Sequence, residues 1–330
     1  MKHLFYILIL FSLVSCLKEE EPITPFDRGG VKIGGIDINT NADYSKQIYY
    51  DIEKNEVVRT VNRSSWDLAF ETTPSGYRIL TNTASGMTVS KTGETDFNNV
   101  TNLSALTLNY KWDDASGNSD SLALKDWISG GTPTNEVFVI NRGEKPNLVS
   151  RGVKKLKVIS VSATDFVIEY ANINGTDFQT KIIPKNTDKH YTAFSFEQGG
   201  EIVEVEPNKG DWDIVFTQYL ATFYDLTPQL MYSVNGILIN TKECKAVKVF
   251  DKEFNDINLS DVGIYTLNDS ANAIGFEWKL YDFDAVAYAV VPGMNFILQS
   301  KSGLYYKMRM IDFYSTSGIK GSPRFEFELL

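Results

Sequence analysis

Histidine and cysteine are almost missing from this chain: two of each occur in 330 residues, at His3, His190, Cys16 and Cys244. So small a supply excludes a zinc site built on paired cysteines or a His-x-x-x-His spacing. It also excludes a disulfide framework, and it leaves Cys244 as a lone thiol expected to be buried and inert. Neither a Gly-x-Ser-x-Gly nucleophile elbow nor a glycine-rich phosphate loop occurs. Carboxylates are plentiful, yet spacing singles out no pair as the acid and base of a glycosidase. A hydrolase acting on glycans is thus the least supported reading, and no enzyme is expected. Basic charge is in deficit, with 32 Lys and Arg against 42 Asp and Glu and a net charge of −10, which disfavours nucleic acid and anionic lipid as partners. No apolar run is long enough to span a bilayer as a mature helix, and no long stripe at helical spacing occurs.

What the chain has instead is two-residue alternation, the period of a strand with one buried face. Phe276-Glu277-Trp278-Lys279-Leu280 reads as such a strand, with Phe276, Trp278 and Leu280 inward. Asn174-Gly175, Asn235-Gly236, Ser302-Gly303 and Lys320-Gly321-Ser322-Pro323 read as turns. The best helical segment is Ser121 to Ile128, with Gly130 placed to end it. The fold class is all-β: two tandem antiparallel β-rich units with few short helices. With 43% hydrophobic and 13% aromatic residues the chain can fill two cores.

The two units follow from a repeated phrase. Ser65-Trp66-Asp67-Leu68-Ala69-Phe70 returns as Asp211-Trp212-Asp213-Ile214-Val215-Phe216. In both copies the large apolar residues alternate and the Asp faces the other way. A hairpin precedes each copy, through Tyr50 to Val58 and through Phe194 to Val203, and strand-like segments follow in matching order. This predicts a tandem duplication of a unit of roughly 140 residues, over 44–188 and 189–330. Trp66, Trp212 and Trp278 could stack on a sugar, but their alternation places them in the core first.

Residues 1–15 read as a secretory signal, with Lys2 before the apolar run Leu4 to Val14. Leu13-Val14-Ser15-Cys16 is similar to a bacterial lipobox, which makes Cys16 the lipidated residue. Residues 16–43 then form the lipidated N-terminus and a flexible tether with Pro22, Pro25 and two Gly-Gly pairs. Its start, Leu17-Lys18-Glu19-Glu20-Glu21, looks like an export signal to the outer face of an outer membrane. The expected location is the outer membrane at the cell surface, held by the lipid anchor.

Several phrases together resemble the HmuY-like haem-binding lipoproteins of Bacteroidota. They are Glu206-Pro207-Asn208-Lys209-Gly210-Asp211-Trp212-Asp213-Ile214-Val215-Phe216, Tyr232-Ser233-Val234-Asn235-Gly236-Ile237-Leu238, Tyr306-Lys307-Met308-Arg309-Met310-Ile311-Asp312-Phe313-Tyr314 and the segment Gly318 to Phe327. The resemblance covers the second copy nearly end to end and the first more loosely. It implies a largely antiparallel surface protein that captures haem and passes it to an outer-membrane receptor. Such relatives commonly hold the iron between two histidines, one directly after the Trp-Asp phrase. Here Glu71 and Thr217 occupy that place, and neither is a good axial ligand.

Once the signal is removed His190 is the one histidine, so a bis-histidine site within one molecule is excluded by count. His190 itself is read as a surface residue in a polar junction. Tyr219, two positions beyond Thr217 and on the same strand face, could ligate iron as tyrosinate. Met231, Met294, Met308 and Met87 are the methionine candidates; Met308 and Met310 alternate with Lys307 and Arg309 and read as sheet core, whereas Met231 could reach a cleft, with core packing the plainer reading. The acidic loop Asp113 to Asp120 lacks a calcium-loop register and reads as a solvated turn. Two functions remain: a membrane-anchored haem binder without catalysis, or a surface adaptor that kept the scaffold and lost haem.

Overall fold

A computed structural model describes residues 29–38 and 43–330 of the chain. The signal segment, Cys16 and most of the tether lie outside the described residues. The described part is antiparallel sheet throughout, broken by eight short 3-10 helices. Strand periodicity is visible directly in burial: Phe166, Ile168 and Tyr170 are fully buried, while the intervening Val167 and Glu169 are half-exposed.

The strands pack into two halves, each made of a five-stranded and a four-stranded sheet. In the first half the larger sheet runs Thr88–Lys91, Val137–Asn141, Val153–Val161, Asp165–Asn172, Gln179–Pro184. Its smaller sheet runs Ile79–Thr81, Leu68–Glu71, Tyr191–Ser195, Glu201–Val203. Leu68, Phe70, Phe138, Leu156, Phe166 and Phe194 fill the core between them. The second half repeats the order. Its larger sheet runs Lys245–Val249, Asn295–Gln299, Tyr305–Tyr314, Lys320–Leu329, Lys32–Gly35, and its smaller one Leu230–Ile239, Ile214–Phe223, Lys46–Asp51, Glu56–Asn62. Tyr50, Phe216, Phe296, Met308 and Phe325 fill that core.

The packing units therefore do not coincide with 44–188 and 189–330. The hairpin before each Trp-Asp strand pairs with the other copy. Ile48 to Tyr50 lie along Phe216 to Ile214, and Tyr191 to Phe194 lie along Glu71 to Leu68. The first half is continuous, from about the end of the first hairpin to Val205. The second is closed by the N-terminal strands.

The repeated Asp is what fastens each borrowed hairpin. Asp67 Oδ2 accepts from the Phe196 amide at 2.8 Å, and Asp213 Oδ2 accepts from the Ile52 amide at 2.8 Å. Both carboxylates are fully buried and paired. Asp67 meets Arg142 Nε and Arg151 Nη2, each at 2.9 Å. Asp213 meets Lys301 Nζ at 3.2 Å, and that ammonium also meets Asp51 at 3.0 Å. Buried charge of this kind holds only when every partner is present. Trp212 lies in an apolar cluster between the halves with Tyr49, Ala193 and Val215, and the half-buried Trp66 packs against that cluster.

Four expectations are corrected. Ser121 to Ile128 forms no α-helix but two single turns of 3-10 helix, Ser119–Ser121 and Lys125–Trp127; the segment is too short to repay helix nucleation. Asn235-Gly236 and Lys320-Gly321-Ser322-Pro323 are not turns but lie inside the strands Leu230–Ile239 and Lys320–Leu329. His190 is buried at the junction of the halves, its Nε2 3.5 Å from Glu243 Oε1. Burial lowers its pKa, against the pull of Glu243. Asp113, read as part of a solvated loop, is buried and accepts from the Thr81 and Ala123 amides at 2.7 and 2.8 Å.

Candidate functional site

Strands Ile214–Phe223 and Leu230–Ile239 run past the edge of the second core: the first residues of one and the last residues of the other pack inward, and the paired far ends are exposed. Those ends carry Phe223, Leu230, Met231 and Tyr232, all exposed. Facing them is the hairpin Lys279–Asp282 and Ala287–Val290, with Tyr281, Phe283 and Tyr288. Between the two hairpins lies a cavity of about 590 Å³, within the usual size of a small-molecule site. Tyr44, Phe223, Tyr232, Phe276, Tyr281, Phe283 and Tyr288 line it, with Lys279 and Lys320.

Two glycines set this geometry. Gly236 and Gly275 lie at the crossing of the long strand and the segment leading to the hairpin, where Ile237 and Gly275 exchange two backbone hydrogen bonds of 3.0 Å. A Cβ on Gly236 would sit 2.6 Å from the Gly275 carbonyl oxygen, and Gly275 has φ of +76°. After that left-handed turn the chain does not continue as the strand expected over Phe276 to Leu280. The strand begins at Lys279, so the alternation breaks. Trp278 is buried as expected, but Leu280 is 64% exposed and Lys279 only 6% exposed.

Lys279 is the unusual group. Its Nζ donates to the Asn235 carbonyl and lies 4.3 Å from the centre of the Trp278 ring and 4.8 Å from that of Phe313. Among the described residues no carboxylate is within ion-pair distance of it; the adjacent Glu277 pairs with Lys248 at 3.0 Å. Burial pulls its pKa down to about 7, although Glu277 acts in the opposite sense. Lys320 Nζ lies 5.0 Å from the Tyr288 ring centre. Among the described residues no Asp or Glu lines the cavity, so an acidic protein presents here a cationic, aromatic recess. Such a recess suits a flat ligand bearing negative charge.

The residues singled out by sequence do not converge. Glu71 is buried in the first half, ion-paired with Lys242 at 2.9 Å. Thr217 is buried in its strand, its hydroxyl donating to the Gln218 carbonyl at 2.9 Å. Tyr219 shares that face, as expected, but its ring is only 2% exposed. Its hydroxyl has no hydrogen-bond partner, and burial raises its pKa well above the usual phenol value. Met231 is 43% exposed beside the cavity-lining Tyr232. Met87, Met294, Met308 and Met310 are buried. Lys279 went unnoticed because a lysine in an alternating run reads as an outward residue. Among the described residues no three His, Cys, Asp or Glu side chains gather to hold a metal ion, and no helix is long and apolar enough to cross a membrane.

Comparison with known proteins gives one decisive match. A family model described as HmuY protein aligns with residues 43–327. No curated protein sequence matches the chain. Among solved structures, apo PinO from Porphyromonas gingivitis is 12% identical and covers 91% of this chain and 97% of its own, with a TM-score of 0.33. The apo HmuY analogue TFO from Tannerella forsythia is 16% identical, over 53% of this chain and 95% of its own, with a TM-score of 0.24. These are distant likenesses, and the assignment rests on the family model.

Proposed function

The chain belongs to the HmuY family, and from that membership we propose that it binds haem, or a related porphyrin, in the aromatic cavity of its second half. The observation that carries this reading is the cavity itself: seven aromatic side chains and two lysines around about 590 Å³ at the open end of the Trp-Asp sheet. The residues fit the group. Phe223, Tyr232, Phe276, Tyr281, Phe283 and Tyr288 would cover a macrocycle, and the lysines would meet its carboxylates. Haem supplies a strong visible absorption and a redox-active iron; the chain's own residues bind and shelter it. Met231 is the sequence-nominated ligand best placed to approach this cavity, since Thr217 and Tyr219 are buried in their strand and Glu71 lies in the first half, paired with Lys242.

The reading extends to a protein held at the outer membrane through lipid on Cys16, displayed at the cell surface and delivering its ligand to a membrane receptor. The lipobox-like Leu13-Val14-Ser15-Cys16 supports the anchor. The matching sheet orders of the two halves support a duplicated unit. No catalytic step is assigned. The test is a titration of the purified protein with haem, followed at the Soret band. A saturable shift is expected, with affinity lowered about tenfold in Tyr232→Ala or Phe223→Ala. No shift at micromolar haem in either redox state would overturn the proposal. A second reading, a surface adaptor, is favoured by the apolar residues exposed on the same hairpin, Tyr224, Leu226 and Leu230. It predicts an outer-membrane partner and no coloured ligand.

A further inference from the structure

The two halves contain topologically matching cavities, and comparing them isolates what the second was built to do. In the first half a cavity of about 450 Å³ lies between the strand opening at Tyr77 to Ile79 and the small hairpin of Ile128–Ser129 and Thr132–Pro133. Its cations Arg78 and Lys125 are balanced by Asp120 and Asp126 in the same wall. Among the described residues the cavity of the second half is lined by Lys279 and Lys320 and by no carboxylate. A buried tryptophan, Trp127, lines the first cavity, and a buried tryptophan, Trp278, directly precedes the lining residue Lys279 of the second. The next residue is Ile128 in the first half, packed against the apolar core, and Lys279 in the second. The scaffold is thus satisfied by an apolar side chain at this position. A lysine buried there, with one carbonyl and aromatic faces for company, works against stability. A group placed at a stability cost in a cavity wall is the pattern of a ligand contact.

Resting on the haem reading above, we propose that this cavity recognises a tetrapyrrole by its periphery: Lys279 and Lys320 bind the carboxylates, the aromatic walls cover the macrocycle, and the metal contributes little to affinity. Among the described residues the lining contains no His, Cys or Met. Of its four tyrosines, Tyr44 is pushed up to about 12 by burial and Tyr288 is raised by burial and by neighbouring tyrosines, which disfavours at those two the phenolate form that an iron ligand needs. Two lysine–carboxylate contacts inside an aromatic recess are in contrast well suited to discriminate acid from ester, because a charge-assisted hydrogen bond in a sheltered site is lost outright when the acid is capped.

The experiment compares haem, metal-free protoporphyrin and the dimethyl ester of protoporphyrin, each titrated against the full chain by quenching of tryptophan fluorescence. Metal-free protoporphyrin should bind within about threefold of haem, and the ester about tenfold more weakly. Lys279→Met and Lys320→Met should each weaken the acid and leave the ester unchanged. Thermal melts of both variants confirm folding, and Lys320→Met alters an exposed strand end, so the comparison survives if the buried variant misfolds. Binding of haem with metal-free protoporphyrin more than about tenfold weaker would overturn peripheral recognition while leaving the haem reading intact. So would equal affinity for acid and ester. Failure of all three ligands to bind would overturn both.

Discussion

Two residues, the buried Lys279 and the half-buried Glu206, give the protein a pH profile that single substitutions can dissect. Lys279 is lowered by burial to about 7 from 10.5. A depressed lysine contributes stability that is present above its unfolded pKa and lost as pH falls through its folded one, so its share should grow between about pH 7 and 10.5. Glu206 lies at the junction of the halves, its Oε1 accepting from the His190 and Tyr191 amides. Burial raises it to about 7 from 4.5, ahead of the opposing amide contacts. Its stability contribution is full below about pH 4.5 and is lost as pH rises through about 7, the opposite sign. Denaturant melts across the range should show Lys279→Met removing part of the alkaline-side rise and Glu206→Gln removing part of the acid-side fall, each relative to wild type. A Glu206→Gln curve parallel to wild type would show that this carboxyl is not protonated in the folded state. Lys279→Met is further expected to raise the melting temperature near neutral pH while weakening ligand binding.

At the scale of elements, the crossing at Gly236 and Gly275 and the buried Asp67 pair carry the clearest expectations. Gly236→Ala forces a methyl group against the Gly275 carbonyl, which should cost about 1–3 kcal/mol and shift the hairpin that carries Lys279. Ligand affinity should fall with stability; an unchanged melt and unchanged binding would show that the crossing can yield. Asp67→Ala removes the carboxylate between Arg142 and Arg151 and the acceptor of the Phe196 amide. Leaving two guanidinium groups buried without it should cost about 3–5 kcal/mol, read as a lower denaturation midpoint in the first half. These elements explain which parts of the sequence were legible. The alternation of Phe166, Ile168 and Tyr170 reports a strand because both faces are set locally. Asn235-Gly236 misleads because its glycine answers a close approach from residue 275, which local pattern does not contain.

The whole molecule behaves as one unit set inside another. The first half is continuous through Val205, whereas the second needs Lys32–Gly35 and the hairpin Lys46–Asp51 and Glu56–Asn62 from before it. A fragment spanning 63–206 should therefore unfold cooperatively. A fragment spanning 44–188 should not, because it carries the wrong hairpin and leaves the Leu68–Glu71 strand unpaired on one edge. Circular dichroism melts of the two fragments decide between these outcomes. The sequence by itself determined the all-β class, the repeated Trp-Asp strand and the family resemblance, because alternation and short phrases are local properties of the chain. Tertiary structure alone decided that the hairpins are exchanged, that Thr217, Tyr219 and Glu71 are sealed in the sheets, and that Lys279 turns into an aromatic recess while Leu280 turns out. Those outcomes depend on which distant strand supplies the neighbour, and burial and charge balance at a site are properties of the neighbour as much as of the residue.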